Sequence, residues 1–201
     1  MDFNRLENQL RFIAEIDKLK SIFRQTLLID QTRLENAAEH SWHFAICALV
    51  LYEYADQDEV DIIRVIKMGL VHDLVEIYAG DTYSYADNAA DSFELEKAAA
   101  NRLFALLPED QGAELRSLWE EFDQGETPDA LFAQAIDTLQ PQLNNYLTSG
   151  AMWQRHQVPS EKVYKRAERI KKGIPKLWPY WDNLLQDAIA KGYLTEGPTK
   201  R

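Results

Sequence analysis

Apolar residues recur along most of the chain at spacings of three or four positions, which is the period of an amphipathic α-helix. This pattern predicts a first helix within about residues 3–25 and a second over about residues 37–55, whose apolar face is wide enough for a central position. A loop of mixed polarity, RQTLLIDQTRLEN, joins them. A third helix is expected over about residues 59–78 and closes at Gly80, because glycine adopts the left-handed conformation that ends helices.

The second half of the chain shows the same helical period after a polar loop at residues 81–91. Five further helices are predicted, at about residues 92–107, 109–123, 128–148, 160–171 and 175–191. Thr127 and Pro128 form a cap and first-turn pair, and Pro141 is expected to interrupt or kink the helix that they begin. No segment shows the two-residue alternation of a strand. We therefore expect an all-α bundle of seven or eight helices in a single domain over residues 1–201.

Composition and charge narrow the classes of function. The chain of 201 residues is 46% hydrophobic and 27% charged, as in ordinary globular proteins. Its formal net charge of -11 disfavours a surface built for nucleic acid, because such surfaces gain affinity from patches of lysine and arginine. The single cysteine, Cys47, cannot form an intrachain disulfide or a cluster of thiolate metal ligands.

The hydropathy pattern gives no indication of a membrane protein. No apolar run approaches ~20 residues, the length of a transmembrane helix. The opening segment MDFNRLENQLRFIAEIDKLK alternates charged and apolar positions and lacks the continuous apolar region of a signal peptide. We therefore expect a cytoplasmic protein without a membrane partner.

The segment VHDLVEIYAGD concentrates ionisable groups in an otherwise apolar helix. His72 and Asp73 point to adjacent sectors of one side of this helix, and Glu76 follows one turn further along. Asp81 comes just past Gly80, where the chain is able to turn back. Burying carboxylates beside an imidazole is unfavourable unless a partner compensates their charge. A divalent cation is such a partner, and this mixture of ligands suits Mn, Fe, Co, Ni or Zn.

Two further positions are candidates for the same metal. His40 stands near the start of the second helix, and Asp137 stands among apolar residues in LFAQAIDTLQP. Together with His72 and Asp73 they provide two imidazoles and two carboxylates for one divalent ion, which leaves room for water or phosphate oxygens. The ligand set does not select among Mn, Co, Fe, Ni, Mg and Zn. His43, one turn after His40, is expected to orient His40 or to line the pocket rather than to bind the metal.

The pattern H…HD…D on helices resembles the HD superfamily of metal-dependent phosphohydrolases, and most closely its compact bacterial members, the HD-domain 5′-deoxynucleotidases. The motifs that carry the resemblance are RLENAAEHS at residues 33–41, HDLVEIYAGD at residues 72–81, and Asp137 followed by LQP. The resemblance extends over about residues 5–150. The C-terminal helices, at about residues 152–192, fit the length of the family.

The resemblance implies a role for each matching residue. The metal ligands would be His40, His72, Asp73 and Asp137. Glu76 matches an acidic residue that positions or activates the attacking water, and Asp81 matches one that acts at the leaving group or the sugar. The family also has a phosphate-binding arginine before the first ligand histidine, for which Arg24 and Arg33 are the candidates here.

These roles imply that the protein hydrolyses (deoxy)nucleoside 5′-monophosphates to nucleoside and phosphate, with one divalent metal ion as cofactor. The alternatives are hydrolysis of another phosphate ester such as a nucleoside polyphosphate, a non-catalytic regulator that binds a nucleotide or a metal, and a purely structural helical dimer. The absence of a long basic segment disfavours a polyphosphate. Glu76 and Asp81 disfavour a regulator, because binding alone needs no proton-transfer groups. A homodimer is expected from the resemblance and from the frequency of two-fold homo-oligomers.

Overall fold

The computed structural model describes residues 2–85 and 89–195, with side chains from residue 93 onward in the second range. The α-helices are α1 (Phe3–Ile16), α2 (Ala37–Leu51), α3 (Ile62–Val71), α4 (Glu76–Ala79), α5 (Ala89–Phe104), α6 (Glu109–Gln124), α7 (Pro128–Leu147), α8 (Ala151–Arg155), α9 (Ser160–Gly173) and α10 (Trp178–Ala190). Strands β1 (Phe23–Leu27) and β2 (Leu34–Asn36) pair in an antiparallel hairpin. Four 3-10 turns are Asp17–Ser21, Tyr52–Tyr54, His72–Val75 and Pro175–Leu177.

The predicted all-α bundle is confirmed. Within the described ranges, eight of the helices have ten residues or more, whereas α4 has four residues and α8 has five. The predicted polar loop at residues 81–91 lies partly outside the described residues. Each described helix is too short or too polar to traverse a bilayer.

The hairpin β1–β2 replaces the predicted end of the first helix and the predicted loop. Helix α1 ends at Ile16, and the chain passes through a 3-10 turn into β1. Along β1, Phe23 is exposed, whereas Arg24 and Thr26 are buried. The side chains that point inward are therefore polar, and a strand with a polar inner face lacks the apolar alternation by which strands are recognised.

The predicted helix over residues 59–78 is divided into α3, the 3-10 turn His72–Val75 and α4. The 3-10 turn tightens the backbone at the point where the histidine and the aspartate stand, which is a common feature of functional positions in helices. Gly80 follows with φ +80° and ψ 157°, so it has the positive φ that glycine tolerates but not the left-handed helical conformation that we expected.

Helix α7 occupies the centre of the molecule and packs against α2, α3, α6 and α9. The hydroxyl of Thr127 caps it by accepting a hydrogen bond from the Ala130 amide at 3.1 Å, and Pro128 occupies the first turn, as predicted. The helix continues through Pro141, so the predicted interruption is absent. Most residues of α7 are buried, and the helix packs against α3 and α9. This packing stabilises the helix, although Pro141 has no backbone N–H to donate.

Helices α2 and α3 approach each other closely beside the site. The side chain of Asn36 accepts from the Glu39 amide at 2.9 Å, and the Glu39 carboxylate accepts from the Asn36 amide at 3.1 Å, which is the capping box that starts α2. A Cβ on Gly69 of α3 would lie 2.0 Å from the ring of Phe44 of α2. Glycine therefore permits the close approach of α2 and α3, and the rings of His40 and His72 lie with their centroids 5.4 Å apart.

Candidate metal centre

Four side chains converge where α2, the 3-10 turn after α3, and α7 meet, and we call these four residues the cage. They are His40, His72, Asp73 and Asp137. Asp137 Oδ1 lies 3.1 Å from His40 Nε2 and 3.6 Å from His72 Nε2. Asp73 Oδ1 lies 3.0 Å from His72 Nε2, and Asp73 Oδ2 lies 3.9 Å from His40 Nε2. All four residues are buried, so the structure brings the predicted ligand set together.

Hydrogen bonds on the outer side of each imidazole orient the two rings. His72 Nδ1 donates to the carbonyl oxygen of Gly69 at 2.9 Å. His40 Nδ1 donates to the side-chain oxygen of Gln140 at 2.9 Å. Because the Nδ1 protons are used in this way, each ring presents Nε2 to the cage, as metal-binding histidines commonly do.

Gln140 connects the cage to two further polar residues. Its amide nitrogen donates to Glu35 Oε1 at 3.0 Å and to His43 Nδ1 at 3.0 Å. His43 is therefore joined to His40 through Gln140 and stands outside the cage. The buried Glu35 carboxylate stabilises the orientation of Gln140 and through it that of His40.

The donor set of the cage fits a divalent cation. His72 Nε2 is buried and has no hydrogen-bond partner among the described residues, although carboxylate oxygens lie nearby. The ligand atoms of His40, His72 and Asp73 lie within 4.8 Å of one another. An imidazole nitrogen turned toward carboxylate oxygens in this way is the arrangement that first-row divalent metals bind. The cage residues would therefore hold such an ion.

The carboxyl groups around the cage differ in pKa. Burial alone would raise the pKa of Asp137, but the imidazoles of His40 and His72 and the charge of Arg166 hold it well below its usual range. Burial raises the pKa of Glu76 well above its usual range, and the charge of Asp73 raises it further. Glu76 Oε2 is buried without a hydrogen-bond partner among the described residues. One acid is thus held ionised, while its neighbour takes up a proton readily.

Asp81 completes the acidic side of the site. It is half-buried beyond Gly80 and lines the same cavity as the cage. Burial raises the pKa of the Asp81 carboxyl, although the charge of Arg24 opposes this effect. A carboxyl group with a raised pKa is suited to donating a proton.

Arg24 is a buried cation beside the cage. Its Nη1 donates to Asp73 Oδ2, and its Nε lies 3.9 Å from Glu35 Oε2. Burial alone would lower the pKa of Arg24, but the carboxylates of Asp73 and Glu76 raise it, so the guanidinium stays charged. Arg24 also lines the cavity above the cage, where it is available to an anion.

Arg33 does not belong to the site. Its guanidinium is exposed and forms a bidentate pair with the Glu39 carboxylate at 2.6 and 2.8 Å. It is absent from the lining of the cavity above the cage. The prediction that Arg33 binds substrate therefore has no support in the geometry. Arg33 lies exposed in the connection just before β2, whereas Arg24, on β1, is buried.

The cavity above the cage encloses about 250 Å³. One part of its wall is aromatic and contains Phe93, Trp119 and Phe122. The Phe122 ring contacts His72 with a centroid distance of 4.7 Å. Polar groups of the cage and the aromatic rings of this wall form the kind of cleft that binds a small polar ligand with an aromatic part.

The sequence pattern that surrounds this cage is that of a known family. A profile described as HD domain matches residues 16–178, which include every cage residue. The chain belongs to the HD domain family. Within this HD domain, the cage is formed by the histidine and aspartate residues of the long-spaced pattern H…HD…D, brought together by three separate elements.

Two relatives of this HD domain are named 5′-deoxynucleotidases. The 5′-deoxynucleotidase HDDC2 of Bos taurus is 31% identical over 134 residues, which cover 65% of this chain and 62% of that protein. The chain thus matches less than two thirds of the length of that relative. A 5′-deoxynucleotidase of Pectobacterium atrosepticum is 29% identical over 136 residues, covering 64% of this chain and 68% of that protein.

A solved structure shares nearly the whole of this HD domain. The crystal structure of a predicted metal-dependent phosphohydrolase from Magnetospirillum magnetotacticum MS-1 has a TM-score of 0.91 and 51% sequence identity. The similarity covers 96% of each chain. It therefore extends beyond the residues that carry the sequence motifs, into the C-terminal helices.

Sequence reasoning missed residues of this HD domain that contact the cage or its hydrogen-bond partners. They are Glu35, Gln140, Arg166 and Arg169. Gln140 stands three positions after Asp137 and so shares its face of α7, a spacing that could have revealed it. The arginines flank the buried Ala167 of α9, and only the packing of α9 on α7 brings them to the cage.

Proposed function

We propose that this HD domain is a metal-dependent phosphohydrolase that releases phosphate from (deoxy)nucleoside 5′-monophosphates. The observation that carries the proposal is the buried cage of two imidazoles and two carboxylates at the floor of a cavity, with the Arg24 guanidinium beside it. Relatives described as 5′-deoxynucleotidases and a structural neighbour described as a metal-dependent phosphohydrolase support the same activity.

We propose one divalent metal ion, held by the cage, as the cofactor. When bound, it supplies Lewis acidity that activates water and stabilises negative charge on the phosphoryl oxygens. The nature of the ligands favours no single ion among Mn, Co, Fe, Ni, Mg and Zn. The orientation of His40 and His72 by Gln140 and Gly69 keeps both Nε2 atoms in place for it.

The proton transfers are assigned to the two carboxyl groups outside the cage. Glu76, whose pKa is raised by burial and by Asp73, removes a proton from the attacking water. Its unpartnered Oε2 leaves an oxygen available for that hydrogen bond. Asp81, whose pKa is also raised by burial, donates a proton to the departing 5′-oxygen. Glu76 thus acts as the base at the attacking water, and Asp81 acts as the acid at the leaving oxygen.

Arg24 is proposed as the phosphate-binding arginine, and Arg33 serves as its matched control. Replacing Arg24 by lysine keeps a charge next to Asp73 but removes the planar fork that binds two oxygens. We expect KM for 2′-deoxyadenosine 5′-monophosphate to rise about 10-fold or more, the effect of losing a hydrogen bond to a charged group. Arg33→Lys, on the surface pair with Glu39, should leave KM within about twofold. Equal KM values for the two variants would remove Arg24 from this role.

A homodimer is proposed as the assembly of this protein. Helix α2 exposes a row of large apolar side chains on the side away from the core: Trp42, Ile46, Leu49 and Val50. A helix that is apolar on both sides is suited to lie between a core and a partner, and two-fold dimers are the commonest homo-oligomers. Multi-angle light scattering should give twice the mass of 23.3 kDa. Trp42→Glu should shift this mass toward the monomer, and a monomeric wild type would contradict the proposal.

Phosphate release from a panel of nucleotides tests the proposed activity. Chelator-treated protein is refilled separately with Mn, Co, Mg or Zn and is supplied with ribo- and deoxyribonucleoside 5′-monophosphates, 3′-monophosphates and 5′-triphosphates. We expect release from 5′-monophosphates, with the ratio of deoxyribo- to ribonucleotide rates defining sugar selectivity. Release from triphosphates alone would instead support a polyphosphate hydrolase. Metal binding without release from any of them would support a regulatory binding protein.

A further inference from the structure

Two arginines of α9 reach the cage through Asp137, whereas Arg24 of the hairpin reaches it through Asp73. Arg166 and Arg169 are three residues apart and therefore share one face of the helix. Arg166 Nη2 donates to Asp137 Oδ2 at 3.2 Å, and Arg169 Nη1 lies 3.8 Å from the same oxygen. Neither residue has a role in the proposed reaction as described above.

The two guanidinium groups share one carboxylate partner in the cage. Both guanidinium groups approach a single carboxylate oxygen of Asp137, while the other oxygen of that carboxylate faces the imidazoles. When a metal engages Asp137, that carboxylate has less charge left to balance two arginines. An anion in the cavity would provide the missing balance.

The cavity gives an anion access to these arginines. Arg166 and Arg169 line the space above the cage together with Arg24. Arg24 and Arg166 also line a smaller adjoining cavity, so both stand at the junction of the two spaces. Arg24 contacts the cage through Asp73, whereas Arg166 contacts it through Asp137. Asp73 and Asp137 thus each accept a hydrogen bond from an arginine. Both arginines border the space in which a phosphoryl group would bind.

We propose that Arg166 and Arg169 form a second phosphate-binding element that holds the phosphoryl group of the substrate from the Asp137 side, while Arg24 holds it from the Asp73 side. The inference rests on the proposed function and extends it to substrate class. Paired guanidinium groups suit the oxygens of a phosphate. Cations on both sides of the cage favour a terminal phosphate monoester with two negative charges over a phosphodiester with one.

Binding of inorganic phosphate to the metal-loaded protein tests this inference directly. Isothermal titration calorimetry is run at saturating Mn²⁺ on the wild type, on Arg169→Gln, on the double variant Arg166→Gln/Arg169→Gln, and on Lys165→Gln. Lys165 is exposed on the same helix, so its variant controls for the loss of one charge from α9. We expect phosphate to bind about 10- to 100-fold more weakly to the double variant, as charge-assisted hydrogen bonds are lost, and unchanged to Lys165→Gln.

A separate titration with Mn²⁺ distinguishes phosphate binding from mere support of the cage. If the arginines only orient Asp137, the variants will bind the metal more weakly but, once loaded, will bind phosphate like the wild type, and the inference is overturned. Arg169, whose side chain is 38% exposed, is the substitution that best preserves the fold, so Arg169→Gln alone provides the test if the double variant does not fold. Dimethyl phosphate, a monoanion, should bind much more weakly than phosphate to the wild type.

The outcomes separate this inference from the proposed function. A metal-loaded wild type that binds no phosphate would overturn both. Phosphate binding that depends on the two arginines, in a protein that hydrolyses no 5′-monophosphate, would support the inference and refute the proposed activity. Hydrolysis of 5′-monophosphates with full phosphate affinity in Arg169→Gln and in the double variant would refute the inference alone.

Discussion

Replacing Asp73 by asparagine is expected to abolish metal binding and phosphate release together. Asp73 Oδ1 lies 3.0 Å from His72 Nε2, and Asp73 Oδ2 accepts from Arg24, so the carboxylate both completes the cage and neutralises the buried arginine. The amide that replaces it carries no charge for either partner. Loss of the metal removes several kcal/mol of transition-state stabilisation, so we expect kcat/KM for 5′-monophosphates to fall by ~10³-fold or more.

Metal analysis after dialysis, together with phosphate release, measures both effects. Asp58→Asn is the matched control, since Asp58 is exposed in the loop before α3 and should retain full metal content and activity. Circular dichroism shows whether the Asp73 variant keeps its helices. A folded Asp73→Asn protein with wild-type activity would contradict the assignment of the cage as the metal site.

Replacing Glu76 by glutamine is expected to leave the metal in place and to slow the reaction. Glu76 lies outside the cage, and the glutamine has the same shape but cannot accept a proton from water. General-base catalysis contributes ~10²- to 10⁴-fold, so we expect kcat to fall by about that factor with little change in KM. Metal content and inorganic phosphate affinity should equal those of the wild type.

Steady-state kinetics on protein of known metal content separates this effect from that of the cage variant. Glu126→Gln, an exposed residue before α7, is the control and should retain wild-type kcat. If Glu76→Gln loses the metal, Glu76 is a ligand rather than a base. If it retains wild-type kcat, the proton goes to another group, and the role proposed for Glu76 is wrong.

The helical bundle could be predicted because helices show in the sequence as a local, periodic spacing of apolar residues. Apolar spacing and the caps at Thr127 and Pro128 define the helices, and their positions in the structure differ from prediction mainly at the ends. The hairpin β1–β2 was not predicted, because its inward residues Arg24 and Thr26 are polar and are buried only against the site. The 3-10 turn at His72–Val75 was likewise hidden within a segment with helical periodicity.

The cage could be predicted because the sequence places a histidine next to an aspartate in an apolar helix, with further acids at short fixed offsets. Such a pattern indicates a metal site. Gln140 shares the face of Asp137 on α7, but the other residues around the cage required the three-dimensional structure. Glu35 lies 3.7 Å from His40 Nδ1 and is joined to it through Gln140, and Arg166 reaches Asp137 only because α9 packs on α7. No short-range pattern encodes such contacts. The choice between Arg24 and Arg33 also depended on which residues of the hairpin segment are buried, since Arg24 lies inward on β1 and Arg33 is exposed just before β2.

The central claim is that one divalent ion in the cage supports phosphate release, and a titration of metal-free protein with Mn²⁺ tests it most directly. Bound metal and the rate of phosphate release from 2′-deoxyadenosine 5′-monophosphate are measured in the same samples. We expect no release without metal and a rate that rises with bound Mn²⁺ until one ion per chain is reached. Release that persists after complete removal of metal, or that begins only beyond the first ion, would contradict it.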